Sequence, residues 1–387
     1  MPIPFIDLQT QRERLGEPLE AAILKVVRSG AFIMGPEIAE LERQLGAFGH
    51  APHVLTCGSG TEAIVLPLMA WGIGPGDAVF CPSFTFAATA EVMPLVGASP
   101  VFVDILPDTY NIDPAKLEAA INAIKAEGKL TPRAIIAVDL FGQPADYPAL
   151  REVAQRHGLK LIADSAQGFG CSLNGNHPIH WADVTTTSFY PAKPLGCYGD
   201  GGAILCKDAG LYDLLVSLRV HGQAVKSDTE GKTFDHDPKY LNMRIGMNAR
   251  MDTIQAAVLL QKMTIFEDEI AARNRVADRY VAGLSDLVGT PRVIPGGVSV
   301  WAQYTIETDD REGLLAHLKT QNVPTAVFYP IPIHKQAIYS VYPAPGGLPV
   351  TEAKAERVMS LPMHPYLTVD HQDQIIAAIR SHVKRNG

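Results

Sequence analysis

A chain of 387 residues, 47% of them hydrophobic, is long enough to need two packed lobes, because a single core usually stops growing below this size. Its 33 Lys and Arg against 41 Asp and Glu leave a net charge of −8 with no basic run, which argues against nucleic acid as a partner. The five cysteines (Cys57, Cys81, Cys171, Cys197 and Cys206) form no C-x-x-C pair and sit mostly in apolar stretches, which suits a reduced compartment and argues against zinc or any other metal. The opening "MPIPFIDLQTQRERLG" has no charged leader with an apolar stretch behind it, and no segment reaches about 18 uninterrupted apolar residues. A soluble cytoplasmic protein without membrane contact is expected.

In chain order, a helix near residues 17–28 is expected to pack apart from the main sheet. "CGSGTEA" (57–63) is a glycine turn leading into a helix opened by Thr61. Short apolar runs then recur at 78–83, 99–105, 133–141, 159–166, 184–190 and 201–206. Continuous rather than alternating apolar runs mark strands buried on both faces, and the helices between them mark a mainly parallel sheet, so the class is α/β. Asp113-Pro114 and Asp146 start two of those helices, and the second ends at a glycine. A long helical segment from Thr253 to Leu284 reads as the bridge to a second lobe. Beyond it, a Pro/Gly-rich connector precedes strands at 301–308 and 324–331 and two further helices, a smaller α+β lobe from about 285 onward.

Four features carry chemistry. Gly58-Ser59-Gly60 before a helix offers free N–H groups and a partial positive charge to a phosphate, although a plain capped turn looks the same. Asp164 ends an apolar strand, where open α/β sheets bind ligands, and a helix cap is the alternative; Gln167, three residues on, shares either role. Phe84 and Phe86 alternate after another strand, so one of them is placed to act as a flat stacking surface, core packing being the other fate of a phenylalanine. Lys193 stands in "SFYPAKPLGCYGDGGAI" between Pro191 and Pro194, whose rings fix the backbone from which it emerges. A lysine, a carboxylate and a phosphate cradle in one α/β chain are the parts that hold pyridoxal 5'-phosphate.

From "PFIDLQTQ" through "GSGTEA", "GDAVFCPSFTFAATA", "DLFGQPAD", "ADSAQGFG", "TTSFYPAKPLGCYGDGGAI", "RIGMNARMDTIQAA" and "AVFYPIPIHKQ" to "SLPMHPYL", the chain resembles the DegT/DnrJ-type nucleotide-sugar aminotransferases of pyridoxal-phosphate fold type I. The resemblance implies a large domain (1–265) with a seven-stranded sheet between helices. A linking helix and a small α+β domain (266–387) would follow. It implies Lys193 as the Schiff-base lysine, Asp164 at the pyridine nitrogen, Gln167 near the ring hydroxyl and Phe86 stacked on the ring. Gly60, Thr61 and Ser188 would bind the phosphate, joined by Asn248 from the partner subunit of a homodimer.

The details are most similar to the branch that aminates a 3-keto UDP-2-acetamido sugar acid with glutamate as donor, through pyridoxamine 5'-phosphate, for surface polysaccharide. There Arg250 of the partner subunit would face the sugar carboxylate, with Phe328, Tyr329 and His334 near the nucleotide sugar. Position 328 departs from that branch, where a histidine is expected. A neutral 3- or 4-keto dTDP- or UDP-hexose is therefore an alternative substrate, and a non-catalytic regulatory member that only binds the cofactor is a second alternative. The related sugar dehydratases carry histidine in place of the lysine, which "AKPLG" keeps.

Overall fold

The computed structural model describes residues 2–232, 237 and 240–386. Its strands are β1 (His53–Cys57), β2 (Asp77–Pro82), β3 (Ser99–Val103), β4 (Thr131–Val138), β5 (Lys160–Asp164), β6 (Ser172–Leu173), β7 (Val184–Ser188), β8 (Gly202–Cys206), β9 (Gly297–Val298), β10 (Tyr304–Glu307) and β11 (Val358–Leu361). The helices are α1 (Leu8–Ser29), α2 (Pro36–Gly49), α3 (Gly60–Ala70), α4 (Ala87–Leu95), α5 (Pro114–Glu127), α6 (Tyr147–His157), α7 (Ala209–Arg219), α8 (Lys226–Thr229), α9 (Thr253–Met263), α10 (Phe266–Leu284), α11 (Arg311–Thr320), α12 (Pro349–Arg357) and α13 (Val369–Asn386). No helix among the described residues is long and apolar enough to cross a membrane.

The main sheet has seven strands in the order β1-β8-β7-β5-β4-β2-β3. Only β8 runs against its neighbours; the other pairs are parallel. Both faces are apolar because successive side chains alternate between two cores. Ile136 and Ile162 enter one core, while Ile135, Ala137, Leu161 and Ala163 enter the other. The apolar runs at 78–83, 99–105, 133–141, 159–166, 184–190 and 201–206 all contain strands of this sheet. The seventh, β1, was not expected, since its five residues "HVLTC" are too few and too mixed to stand out beside the glycine turn they lead into.

Three expectations are corrected. The segment from Thr253 to Leu284 is two helices, α9 and α10, broken at Thr264 and Ile265. No strand forms at 324–331, where Ala326 makes an isolated bridge to Ser360 of β11. α3 starts at Gly60 with Ser59 as its cap, whose Oγ accepts the Glu62 N–H at 3.2 Å, so Thr61 is left inside the first turn. α1 begins at Leu8 and is interrupted at Gly16 (φ 55°, ψ −144°), which divides it from the later turns expected near 17–28. Leu15 and Leu19 of α1 pack on Val258 of α9 rather than on the sheet.

β10 and β11 pair antiparallel and, with Tyr280 of α10, Leu314 of α11 and Ile379 of α13, enclose a separate apolar cluster. Ile3 from the start of the chain joins that cluster.

Candidate active site

The C-terminal ends of β2, β4, β5 and β7 open into a cleft of about 570 Å3. Open parallel sheets bind ligands at this edge because the chain turns outward from both sides there and helix N-termini point in.

Asp164, the last residue of β5, is 4% exposed. Its Oδ2 accepts from Thr89 Oγ1 at 2.9 Å and its Oδ1 from the Ala166 N–H at 3.2 Å. Burial pushes its pKa above the ordinary carboxylate value, while those two hydrogen bonds and the charge of Lys193 pull the other way. Turns follow it rather than a helix, with Gly168 N–H bonded to Ser165 O at 3.0 Å, so Asp164 caps no helix.

Lys193 lies on the loop between β7 and β8. Its own N–H closes a turn onto Tyr190 O at 2.8 Å, and the loop stem is clamped by Cys197 N–H to Phe189 O at 2.7 Å. A side chain at Gly196 would stand 2.4 Å from Pro191 O, so the tight return needs glycine there. From behind, Gln255 of α9 accepts the Tyr198 N–H at 2.9 Å, and the ammonium of buried Lys262 lies 4.6 Å from the Tyr198 ring centroid. Burial pushes the Lys193 amine below the usual lysine range, against the attraction of Asp164, and the lowered value makes a neutral amine more accessible near pH 7.

At one end of the cleft, Ser59, Gly60 and Thr61 present the N-terminus of α3 beside Ser188 at the end of β7. A Cβ at Gly60 would lie 2.6 Å from the Ser188 Cβ, so glycine lets the helix start approach the strand end. This is the geometry that binds a phosphate. Phe86 is 55% exposed and lines the cleft, while Phe84 is fully buried against Tyr110 and Phe141. Gln167 accepts the Phe141 N–H at 2.8 Å and donates to Tyr329 Oη at 2.9 Å. Phe328 and Tyr329, joined by a cis peptide bond, also line the cleft.

One residue expected near the substrate stands elsewhere. His334 does not line the cleft; its Nδ1 lies 2.7 Å from Ser83 Oγ and its Nε2 3.1 Å from Glu352 Oε1. The Glu352 carboxylate can only accept, so Nε2 carries the proton, and in the neutral ring Nδ1 accepts from Ser83 Oγ, which itself accepts the His334 N–H at 3.0 Å. The ring is thus a strut between the end of β2 and α12. Asn248 is exposed, accepts from Arg250 Nε at 2.9 Å, and neither residue lines this chain's cleft. Between them Ala249 is buried and its carbonyl accepts the Gly58 N–H at 3.0 Å, which turns the flanking side chains outward. Sequence reasoning missed Thr89, Asp200 and Gln303 in the cleft wall. Thr89 had a signal, since it lies one helical turn beyond Phe86.

Behind Asp164, fully buried Asp139 at the end of β4 accepts from Tyr147 Oη at 2.7 Å and the Ala145 N–H at 3.1 Å, and it is bonded to Ser165 Oγ. Burial, and secondarily the charge of Asp164, push its pKa up to about 7 against the pull of these donors. The folded protein therefore holds this proton more tightly than an unfolded chain, where the ordinary value is 3.8. The stability it contributes is complete below about pH 4 and is lost as pH rises toward 7. Asp139→Asn keeps the acceptor and offers an N–H to Ser165. Its thermal unfolding is expected to vary less between pH 5 and 8 than that of the wild type, by about 2–3 kcal/mol. Equal slopes in the two pH series would show that Asp139 stays ionised throughout.

Among the described residues, no three His, Cys, Asp or Glu side chains gather as a metal site would require. A family model described as the DegT/DnrJ/EryC1/StrS aminotransferase family matches residues 13–380. The UDP-2-acetamido-2-deoxy-3-oxo-D-glucuronate aminotransferase of Pseudomonas aeruginosa is 46% identical over 380 residues, 97% of this chain and 99% of that protein. A crystal structure of a DegT DnrJ EryC1 StrS aminotransferase from Brucella abortus superposes with a TM-score of 0.94 at 51% identity, covering 98% of this chain and 99% of the other. DesV of S. venezuelae, solved in complex with a ketimine intermediate, gives a TM-score of 0.90 at 35% identity over 99% of both chains. A lysine and a carboxylate set in one cleft, a phosphate-ready helix start and a match along nearly the whole chain agree: the chain belongs to the DegT/DnrJ/EryC1/StrS aminotransferase family.

Proposed function

We propose that the cleft holds pyridoxal 5'-phosphate and moves an amino group from glutamate to a 3-keto UDP-2-acetamido-uronic acid, a step toward surface polysaccharide. The observation that carries this reading is that half-buried Lys193 and buried Asp164 line one cleft that ends at the N-terminus of α3. The α3 start, Thr61 and Ser188 would hold the phosphate, Phe86 would cover the ring, Gln167 would lie near the ring hydroxyl and Asp164 would accept from the ring nitrogen. When bound, the cofactor supplies an electron sink for a carbanion next to nitrogen. Lys193 Nζ, eased toward its neutral form by burial, would serve as the base that takes up and gives back the proton of the substrate carbon. Residues 1–265 form the cofactor lobe in this reading, and 266–387 the linking helix and smaller lobe.

Adding glutamate to the cofactor-loaded protein tests the reading. The visible cofactor band should bleach with formation of 2-oxoglutarate, and a candidate ketosugar nucleotide should restore it. No bleaching would leave a protein that only binds the cofactor. Phe328 favours a second reading, a neutral ketohexose nucleotide, because an apolar ring in the wall replaces the polar histidine expected in the uronic-acid branch.

The functional unit we propose is a homodimer with shared sites. Lys193 is the only cation among the described residues lining the cleft, which also holds Asp164 and Asp200, yet phosphate, glutamate and a UDP-sugar acid are all anionic. A second copy would supply the missing positive charge through Arg250 of the partner subunit, and a phosphate contact through Asn248 of the partner subunit. Phe32, Ile33 and Met34 are each more than 40% exposed, and Ile245, near Asn248 and Arg250, is 87% exposed, an apolar surface for that copy to cover. Lys193→Ala and Asn248→Ala proteins are each expected to be inactive alone. Mixed, they should regain about a quarter of wild-type activity, because half of the dimers are hybrids with one intact site. No recovery after verified subunit exchange would mean that each chain builds its site alone.

A further inference from the structure

Asp164 can serve a protonated ring nitrogen only as an ionised carboxylate held in one orientation, yet its burial favours the neutral form. Something in the protein must offset that. Among the described residues, Thr89 is the one side chain hydrogen-bonded to it, Oγ1 to Oδ2 at 2.9 Å, while the Ala166 N–H donates to Oδ1 at 3.2 Å. One bond to each oxygen fixes the plane of the carboxylate and leaves lone pairs on both for a ligand.

The direction of the hydroxyl protons follows from charge. Thr89 Oγ1 also lies 3.1 Å from Thr85 Oγ1, and each hydroxyl has a single proton to give. An ionised carboxylate only accepts, so the Thr89 proton points to Asp164 and the Thr85 proton to Thr89. Two hydroxyls polarised one way strengthen each other's bonds, and a hydrogen bond to a charged acceptor is about twice as strong as one between neutral groups. Thr85 and Thr89 are 1% and 2% exposed, which shields both bonds from water.

The local sequence sets Thr89 beside the ring site. Phe86 is the N-cap of α4, and Thr89, in the first helical turn, donates its own N–H to Phe86 O at 3.2 Å. A helix places residues three apart on one face, so exposed Phe86 and buried Thr89 both line the cleft from one turn. Valine would fill the same space, and Ala90, Val92 and Met93 already supply the apolar packing of α4. We propose that Thr89 is a positioning residue, whose hydroxyl keeps Asp164 ionised and fixes its plane for the ring nitrogen that Phe86 covers. This rests on the cofactor reading above and adds to it the group that makes a buried carboxylate usable.

Two variants of Thr89 and the Asp164→Asn protein form the test. Thr89→Val removes the hydroxyl at nearly constant shape, and Thr89→Ser keeps it. In the cofactor-loaded enzyme, Thr89→Val is expected to slow single-turnover bleaching by glutamate about tenfold, with Thr89→Ser within about threefold of wild type. Added to Asp164→Asn, Thr89→Val should change the rate by less than about twofold, because the charge through which it acts is gone. A second readout needs no activity. The titratable groups facing Asp164 are Lys193, Cys81, Asp139, Tyr147 and Tyr329, all of them common to wild type and variant. Asp164 contributes stability below its ordinary value of 3.8 that is lost as pH rises through its higher folded value, and losing the Thr89 donor enlarges that loss. The melting temperature of cofactor-free Thr89→Val should therefore fall below wild type by a margin that widens by about 1–3 °C between about pH 4.5 and 7.5. In the Asp164→Asn background that margin should stay constant with pH.

A pH-independent margin with Asp164 present, an equal loss of rate in the Asp164→Asn background, or an unchanged rate in Thr89→Val would each overturn the assignment. So would a Thr89→Ser protein as slow as Thr89→Val. Should Thr89→Val fail to fold, Thr89→Ala carries both measurements. Failure of the wild type to bleach with glutamate overturns the aminotransferase reading, and the melting series on the cofactor-free chain then decides by itself whether Thr89 holds Asp164 ionised.

Discussion

Lys193→Ala and Lys193→Arg proteins are expected to bind the cofactor and to show no measurable turnover, a loss of at least about a thousandfold. The loop that carries the lysine is held by contacts that do not involve its ammonium. These are the Cys197–Phe189 main-chain bond, the Gln255 bond to Tyr198 and the Lys262 cation over the Tyr198 ring. Removing the side chain should therefore leave the fold and the rest of the cofactor cradle in place. Arginine keeps the charge but cannot become a neutral amine near pH 7, whereas burial already pushes Lys193 in that direction. Cofactor content by absorbance and single-turnover bleaching with glutamate check both halves of the expectation. Wild-type-like turnover in either variant would remove Lys193 from the chemistry.

Asp164→Asn is expected to keep cofactor binding and slow both half-reactions severely, by well over tenfold, that is by more than about 1.4 kcal/mol. The fold should tolerate the change, since an amide oxygen can still accept the Ala166 N–H and the amide nitrogen can donate to Thr89 Oγ1. What the amide cannot do is hold a positive charge on a ring nitrogen as a carboxylate does. Comparing glutamate and sugar half-reactions separates this effect from substrate binding, because both should suffer alike. A loss below tenfold in both would assign Asp164 a structural role.

Legibility in the sequence followed how local each determinant is. The buried parallel strands were readable because both faces of β4 and β5 are apolar, and the Lys193 loop because two prolines and a run of glycines mark it. Asp164 was readable as a carboxylate ending an apolar run, although only the structure shows that no helix follows it for the acid to cap. Other features depend on contacts far along the chain and leave no local mark. The break at Thr264 and Ile265 falls inside a helical pattern, and 324–331 forms no strand, only the isolated bridge of Ala326 to Ser360. His334 looked like a site residue from its motif, yet Ser83 and Glu352, 251 and 18 residues away, hold it outside the cleft.

The cleft wall is written in three separated parts of the chain, the first being Phe5 and Ile6 near its start. Residues between Ser59 and Asp200 supply the floor, while Gln303, Phe328 and Tyr329 supply a wall from the last quarter. A gene segment encoding that wall can accumulate changes without altering the lysine, the acid or the phosphate cradle. Phe328, where the resembling branch is expected to carry histidine, lies in that wall. Change in that wall would therefore retune which sugar is accepted while leaving the lysine, the acid and the phosphate cradle in place.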